Sequence, residues 1–153
     1  LGKFEEIRHS IPSIVNETIR SRGFRKISTD IAVPGDRMFE MMRYYDGVFR
    51  KEPFEHVIFG HIGESHVHVN ILPGTEEEAK AAGETALALV RKGVSLGGTI
   101  SAEHGIGKIK HEYLKEMYGS RGLIEMARIK KAFDPGCILG LSNIFPKELL
   151  GAL

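Results

Sequence analysis

The stretch from His66 to Ile71 alternates strictly between polar and apolar side chains. Its polar positions hold two imidazoles and an amide: His66, His68 and Asn70. Successive side chains of a strand point to opposite faces, so this alternation predicts a strand with one apolar face and one polar face. Each of the three polar groups can take part in hydrogen bonds. Three such groups on one face are unusual for a surface that contacts only solvent, so this polar face is a candidate functional site.

A second strand is predicted just before the first, over residues 54–61. The four residues Ile62-Gly63-Glu64-Ser65 join the two stretches and fit the loop of an antiparallel hairpin. The apolar face of this hairpin needs helices to cover it. We therefore expect the α+β class: an antiparallel β-sheet with helices packed on one face, with ferredoxin-like elements.

The remaining elements are predicted from periodicity and from capping signals. They are a helix over 10–22 with Ser10 as its cap, a strand over 25–33, a helix opening at 34–36, a helix over 75–92 with the capping box Thr75/Glu78, a helix ending near Gly119 and a last helix over 120–133. The order is α-β-α-β-β-α-loop-α-α, which fits a single domain over residues 1–153.

Composition excludes several classes of protein. The formal net charge of +1, without a basic stripe, gives no footprint for nucleic acid. Cys137 is the only cysteine, which excludes an internal disulfide and a cysteine-ligated iron–sulfur cluster. No apolar run approaches the roughly 20 residues of a membrane-spanning helix. We expect a cytoplasmic protein without a transmembrane segment, either free or peripheral to a membrane.

A second polar run, Ser101-Ala102-Glu103-His104-Gly105-Ile106-Gly107, places a carboxylate beside an imidazole in a glycine-rich segment. His61 and His68, on either side of the hairpin, could converge with Glu103 into a set of two imidazoles and one carboxylate. Such a set binds a divalent metal and leaves positions open for substrate or water. An imidazole titrates near neutral pH, so His104 is a natural general base. A histidine in a strand is also often a hydrogen-bonded structural residue, and both interpretations stay open from composition alone.

These runs resemble motifs of one known family. GHIGESHVHVN resembles the GH-x-GDGN-x-H-x-N motif of FAD-linked oxidoreductases of the glycolate oxidase, D-lactate dehydrogenase and D-2-hydroxyglutarate dehydrogenase type. GGTISAEHGIG resembles their GG-x-x-x-x-EHGIG run, FDPGCIL their DP-x-G-x-L segment, and STDIAVP the strand before their "VP" turn. The sequence departs from the family at 64–66, where Glu-Ser-His replaces DGN, and at 139–143, where LGLSN replaces LNPGK.

The resemblance implies a fold and a place within a larger enzyme. In this family an N-terminal domain binds FAD, and a C-terminal cap with an antiparallel sheet completes the substrate site. The chain resembles about the last two-thirds of that cap and lacks any likeness to the FAD-binding domain. We expect a C-terminal fragment of a larger FAD-dependent enzyme, inactive alone, whose partner is its own FAD-binding domain. A homodimer is compatible with this expectation.

The resemblance also implies roles for individual residues. By motif position, His61, His68 and Glu103 are ligands of a divalent metal, Zn or Mn, and His104 is the base that takes the substrate hydroxyl proton. Asn70 faces the substrate, while Arg8 and Lys26 hold a substrate carboxylate. The implied substrate is a small 2-hydroxy acid, such as glycolate, D-lactate or D-2-hydroxyglutarate, whose α-hydrogen passes to the flavin. Residues that contact FAD are not identified by these motifs.

Two other classes of function compete with this expectation. The first is a non-catalytic α+β binding or assembly module that retains the motifs. It predicts no turnover of any 2-hydroxy acid when a flavin domain is restored. The second is a self-contained metal-dependent hydrolase, which requires a complete pocket and activity without flavin. The sequence holds no other acidic or histidine cluster, which disfavours the hydrolase.

Overall fold

A computed structural model describes residues 2–52 and 54–151 of the chain. The helices and strands of this part are, in order, α1 (Gly2–Ser21), β1 (Ile27–Ala32), α2 (Met38–Phe49), β2 (Glu55–His61), β3 (His66–Leu72), α3 (Glu76–Ser95), α4 (His111–Phe133) and α5 (Lys147–Gly151). No helix of these residues has both the length and the apolar character needed to cross a bilayer.

The three strands form an antiparallel sheet in the order β1-β3-β2, with β3 at its centre. The predicted hairpin is present: His61 of β2 lies opposite His66 of β3, and a short 3-10 turn over Ile62–Glu64 joins them. Ser65 closes this turn in the left-handed conformation, at a φ of 54°. Because β3 has a partner strand on each side, all seven of its residues are buried.

The apolar face of β3 forms the core with α2 and α3, as its alternation predicts. Val69 and Ile71 have no exposed surface, and they belong to one buried cluster with Met41 of α2 and Leu89 of α3. Burial of each such side chain contributes about 1.5–3 kcal/mol, which makes this face the main source of stability. The predicted α+β class with an antiparallel sheet is confirmed. Helices α2 and α3 cover the apolar face, whereas α1 packs against the opposite face of the sheet.

Helix α1 differs from the prediction in its length. It begins at Gly2 rather than at Ser10, and the Ser10 hydroxyl donates a hydrogen bond to the carbonyl of Ile7 instead of capping a helix. The expectation that Ser10 caps the helix was wrong because good helix formers, among them Lys3, Glu5 and Glu6, precede Ser10 and continue the helix toward the N-terminus. Helix α1 packs through Val15 and Ile19 against Leu72, at one end of the polar face of the sheet.

The later helices begin and end close to their sequence signals. The Thr75 hydroxyl accepts a hydrogen bond from the Glu78 N–H, and the Glu78 carboxylate accepts one from the Gly74 N–H, which caps α3. The predicted break near Gly119 is present as a kink inside α4, where Gly119 has a φ of 65° that few other residues tolerate. The helical turn α5 was not predicted.

The segment between α3 and α4 reaches the site along the outer edge of β1. Thr99 forms an antiparallel bridge with Ala32, and Ser101 forms a parallel bridge with Asp30. The Ala102 N–H donates a hydrogen bond to the Asp30 carbonyl. These contacts carry the Glu103–His104 run onto the polar face of the sheet.

Candidate metal and substrate site

The polar face of the central strand is buried, so its groups need partners inside the protein. His66, His68 and Asn70 are 4%, 8% and 2% exposed. Each ring nitrogen or amide atom that lacks a partner there loses its hydration without compensation. The face is therefore built around polar contacts rather than around solvent.

Glu103 brings one histidine of this face together with two neighbouring histidines. Its Oε1 atom lies 2.8 Å from Nε2 of His68 and 3.5 Å from Nε2 of His104, and its Oε2 atom lies 3.8 Å from Nε2 of His61. One carboxylate thus meets three imidazoles that come from two strands and a loop. The expected convergence of His61, His68 and Glu103 is present as a geometric arrangement.

His61 is the outer member of this arrangement. It ends β2, so the hairpin register places it opposite His66 rather than opposite His68. The ring centroids of His61 and His68 are 6.4 Å apart, and 37% of the His61 side chain is exposed. His61 approaches the carboxylate from the open side, while His68 approaches it from within the sheet.

The donor set fits a divalent cation. The donor atoms of Asp30, His68, Glu103 and His104 all lie within 4.8 Å of one another. Imidazole nitrogen and carboxylate oxygen are ligands that Zn²⁺ binds in proteins, and Mn²⁺ also accepts carboxylate. This group shares His68 and Glu103 with the ligand set predicted from the motifs, but it contains Asp30 and His104 in place of His61. His61 lies on the open side of the same carboxylate, 3.8 Å from Oε2 of Glu103.

Asp30, which the sequence analysis missed, is the most buried acid of the site. Its exposure is 1%, and burial alone would raise its pKa. The backbone N–H of His104 and the ring of His66 donate hydrogen bonds, each at 2.8 Å, and the charge of Lys110 adds to them. Together with a bond from the Glu103 N–H, they lower the pKa of Asp30 to about 2. The sequence did contain one sign of this role, because Asp30 is a charged residue inside a predicted strand that is rich in β-branched residues.

The surroundings of His68 lower the pKa of its imidazole. Burial is the largest cause and the neighbouring ring of His66 adds to it, while the charges of Asp30 and Glu103 act in the opposite direction. The two ring centroids are 4.6 Å apart. A neutral imidazole has a free lone pair, which is the form that binds a metal or accepts a proton.

His104 faces the same cleft as the acid beside it. The two residues are adjacent in sequence and would diverge in an extended segment, yet both side chains line one cavity. The His104 side chain is 63% exposed, and its ring centroid lies 4.8 Å from that of His68. A molecule in the cavity can therefore reach the ring of His104.

The cavity above this cluster has a volume of about 750 Å³. Its cationic lining consists of Lys26, Lys108 and Lys110. Asn70 also lines it, and the Asn70 Nδ2 atom is buried without a hydrogen-bond partner in residues 2–52 and 54–151. Burial lowers the pKa of Lys26 and of Lys110. The cavity thus offers an amide donor and the ammonium groups of Lys26 and Lys108 to an anionic ligand, while Lys110 faces Asp30.

Arg8 lies away from this cavity. It lines a neighbouring concavity of about 580 Å³ together with His61 and residues of α1. His68, Phe59 and Pro12 border both spaces. The two residues predicted to hold a substrate carboxylate, Arg8 and Lys26, therefore lie in different concavities that share one wall.

His66 occupies a position where the sequence departs from the family motif. Its Nε2 atom forms a hydrogen bond of 2.8 Å with Oδ1 of Asp30. His66 therefore completes the environment of Asp30 rather than that of the Glu103 carboxylate.

Comparison with known proteins identifies the family. A model of the C-terminal domain of FAD linked oxidases matches residues 3–141. The chain is 29% identical over 124 residues to the glycolate oxidase subunit GlcD of Bacillus subtilis (strain 168), covering 80% of the chain and 26% of that protein. It is 32% identical over 139 residues to a D-2-hydroxyglutarate dehydrogenase of Stutzerimonas stutzeri (strain A1501), covering 86% of the chain and 29% of that protein.

A D-lactate dehydrogenase of Anaerostipes hadrus is 31% identical over 118 residues, which cover 75% of the chain and 25% of that protein. The chain thus spans about a quarter of the length of the curated relatives that it matches. The family model, in contrast, covers most of the chain, and its match includes both histidine-bearing motifs. The chain belongs to the family of FAD-linked oxidase C-terminal domains.

Proposed function

We propose that this chain is the substrate- and metal-binding cap of a flavin-dependent dehydrogenase that oxidises a small 2-hydroxy acid to the 2-oxo acid. One observation carries the proposal. The Glu103 carboxylate meets the imidazoles of His68, His61 and His104 beneath a cavity lined by lysines. The names of the relatives, which are two 2-hydroxy-acid dehydrogenases and a glycolate oxidase subunit, support the choice of substrate class.

The proposal treats residues 1–153 as a single domain of a larger enzyme. The short coverage of the relatives supports this, because three-quarters of their length lies outside the match. FAD, held mainly by the remainder of such an enzyme, supplies the electron acceptor when bound. The part of the site that this chain provides is the floor of the substrate cavity and the groups that move a proton.

The proposed ligands of a divalent cation, Zn²⁺ or Mn²⁺, are His61, His68 and Glu103. When bound, such a cation lowers the pKa of a coordinated hydroxyl group. His68 presents a neutral imidazole, and Glu103 places its two oxygens toward different histidines. Ligands from a strand, a hairpin end and a loop leave the cavity side open to a substrate.

His104 is the proposed general base. Its ring is exposed to the cavity, and its Nε2 atom lies 3.5 Å from Oε1 of Glu103, next to the proposed cation position. A substrate hydroxyl placed there can give its proton to His104 Nε2. The carboxylate beside the ring stabilises the imidazolium that forms.

The substrate carboxylate is proposed to lie against the amide of Asn70 and the ammonium group of Lys26. Asn70 Nδ2 has no hydrogen-bond partner among the residues that the structure describes, so a carboxylate oxygen in the cavity would satisfy it. Lys26 lines the same cavity and adds charge that compensates the anion. Arg8, across the shared wall, is proposed to contact a longer substrate.

A chimera tests the proposal. The chain replaces the matching C-terminal part of the Bacillus subtilis relative, and bound flavin is verified from its visible spectrum. Dye reduction is then measured with glycolate, D-lactate and D-2-hydroxyglutarate. Turnover of at least one of these acids is expected, whereas flavin-loaded protein without any turnover would favour the non-catalytic binding module.

A further inference from the structure

Asp30 lies at the centre of the site, although it belongs neither to the proposed metal ligands nor to the proposed base. Its carboxylate is almost completely buried and is contacted from three parts of the chain. These parts are strand β3, the loop over 101–104 and Lys110, which directly precedes α4. Because these contacts reach three other parts of the chain, Asp30 does more than complete its own strand.

The Oδ2 atom of Asp30 forms hydrogen bonds with the loop that carries Glu103 and His104. It accepts hydrogen bonds from the N–H of His104 at 2.8 Å, from the N–H of Glu103 at 3.2 Å and from the Ser101 hydroxyl at 3.3 Å. Bonds from backbone N–H groups to a charged carboxylate are stronger than neutral ones. The positions of Glu103 and His104 are therefore set by Asp30.

The Oδ1 atom of Asp30 faces the histidines of the central strand. It bonds to Nε2 of His66, and Nδ1 of His68 lies 3.4 Å from it. A histidine that binds a metal through Nε2 carries its proton on Nδ1, and a nearby carboxylate stabilises that proton and orients the ring. Both oxygens of Asp30 are thus already engaged, which argues against Asp30 as a ligand itself.

We propose that Asp30 is a positioning residue, which holds the Glu103–His104 loop through one oxygen and orients His68 through the other. The inference rests on the proposed function, because it assigns Asp30 a role toward the same metal-binding groups. Lys110, with Nζ 3.7 Å from Oδ2, compensates the buried negative charge. Loss of the charge at Asp30 would loosen two proposed ligands together, although neither ligand is altered.

The variant Asp30→Asn tests this role. The Asn carbonyl oxygen can still accept the backbone N–H bonds, while its NH₂ group then faces the Nδ1 proton of His68 and disfavours the metal-binding form of the ring. Zn²⁺ affinity is measured by competition with a chromophoric chelator. We expect binding about 10- to 100-fold weaker than in the wild-type chain, as for other residues that support a ligand.

Asp134→Asn provides the matched control. Asp134 is also a buried acid that accepts two backbone N–H bonds, from Ile138 and Leu139, but it lies outside the site. Its replacement should leave Zn²⁺ affinity unchanged. An Asp30→Asn chain that binds Zn²⁺ as tightly as the wild type would overturn the role toward His68.

Amide hydrogen exchange in the metal-free chain separates this inference from the proposed function. Exchange at Glu103 and His104 should be faster in Asp30→Asn and unchanged in Asp134→Asn. If the wild type does not bind Zn²⁺, the proposed metal site fails, while the exchange rates still decide whether Asp30 fastens the loop. If Asp30→Asn does not fold, Ser101→Ala takes its place: faster exchange at His104 supports the inference and unchanged exchange overturns it.

Discussion

The Nε2 atom of His68 lies 2.8 Å from Oε1 of Glu103, which joins the central strand to the loop before α4. The histidine is buried between two neighbouring strands, whereas the acid belongs to a loop and is 43% exposed at its side chain. A buried imidazole and a more accessible carboxylate therefore meet at the floor of the cavity.

The close approach of β2 and β3 requires a glycine at position 60. Gly60 has a φ of 153°, and a Cβ added there would lie 2.8 Å from Cα of Val67 and 2.9 Å from the carbonyl oxygen of His66. Both are backbone atoms, so relief requires the strands to separate. Gly60→Ala is expected to lower the free energy of unfolding by about 1–3 kcal/mol, as for overpacked interiors.

Gly63→Ala is the control for that experiment, because a Cβ at Gly63 meets no atom within 4 Å. Urea denaturation followed by circular dichroism measures both variants. Equal stability of the two variants would show that the hairpin is not packed as closely as the structure indicates.

The cap of α3 gives a second prediction about the scaffold. Thr75→Ala removes the hydroxyl that accepts the Glu78 N–H, at an expected cost of about 1 kcal/mol. Ser95→Ala, at the other end of the same helix, removes a hydroxyl that only donates to the Lys92 carbonyl. Thermal unfolding should show a lower melting temperature for Thr75→Ala alone, and a similar drop in both variants would count against the cap.

Local patterns predicted much of the fold and part of the site. The alternation in β3, the hairpin and the Thr75 cap depend on neighbouring residues, so they are visible in sequence. The start of α1 was misplaced because Ser10 satisfies a cap pattern, while its hydroxyl bonds within the helix. Good helix formers before Ser10 continue the helix, while its C-terminal half packs on the sheet through Val15 and Ile19.

Asp30 was missed for a different reason. Its importance comes from contacts with residues more than 30 positions away, among them His66 and His104, which no local pattern displays. The convergence of Glu103 with two strands was expected from the motifs, but only the bridges of 99–101 to β1 explain how the loop reaches the sheet. The sequence alone therefore could not predict the contacts between residues that are far apart along the chain.

Stability should depend on pH through Asp134. Its hydrogen bond with Lys130 and its bonds from the Leu139 and Ile138 N–H groups lower the pKa of Asp134 below its ordinary value of 3.8. A lowered pKa means that the charged form is favoured in the folded state. The stabilisation is therefore complete above the unfolded pKa and is lost as the pH falls through the folded pKa.

Urea denaturation of the wild type and Asp134→Asn across a pH series measures this dependence. The wild type should be the more stable of the two at pH 7, and the difference should shrink below the ordinary pKa of the carboxyl group. A difference that stays constant down to strongly acidic pH would assign the effect of the substitution to something other than the charge of Asp134.

The proposed base gives a prediction about activity. In the flavin-containing chimera, His104→Gln should lower turnover of the accepted 2-hydroxy acid by about 10²- to 10⁴-fold, because the hydroxyl proton loses its acceptor. His9→Gln, on the exposed surface of α1, is the control and should leave turnover unchanged. Zn²⁺ affinity should change little in His104→Gln, and full turnover in this variant would remove His104 from the reaction.

The most direct test of the account is the Zn²⁺ affinity of the chain and of His68→Ala, measured by isothermal titration calorimetry. His56→Ala is the matched control, because His56 stacks on Phe49 with ring centroids 4.0 Å apart and lies on the opposite face of the sheet. The wild type and His56→Ala should bind one Zn²⁺ with similar affinity. His68→Ala should lose more than the about 10- to 100-fold that follows loss of a supporting residue. Equal affinity of His68→Ala and the wild type would contradict the metal site on which the proposed function depends.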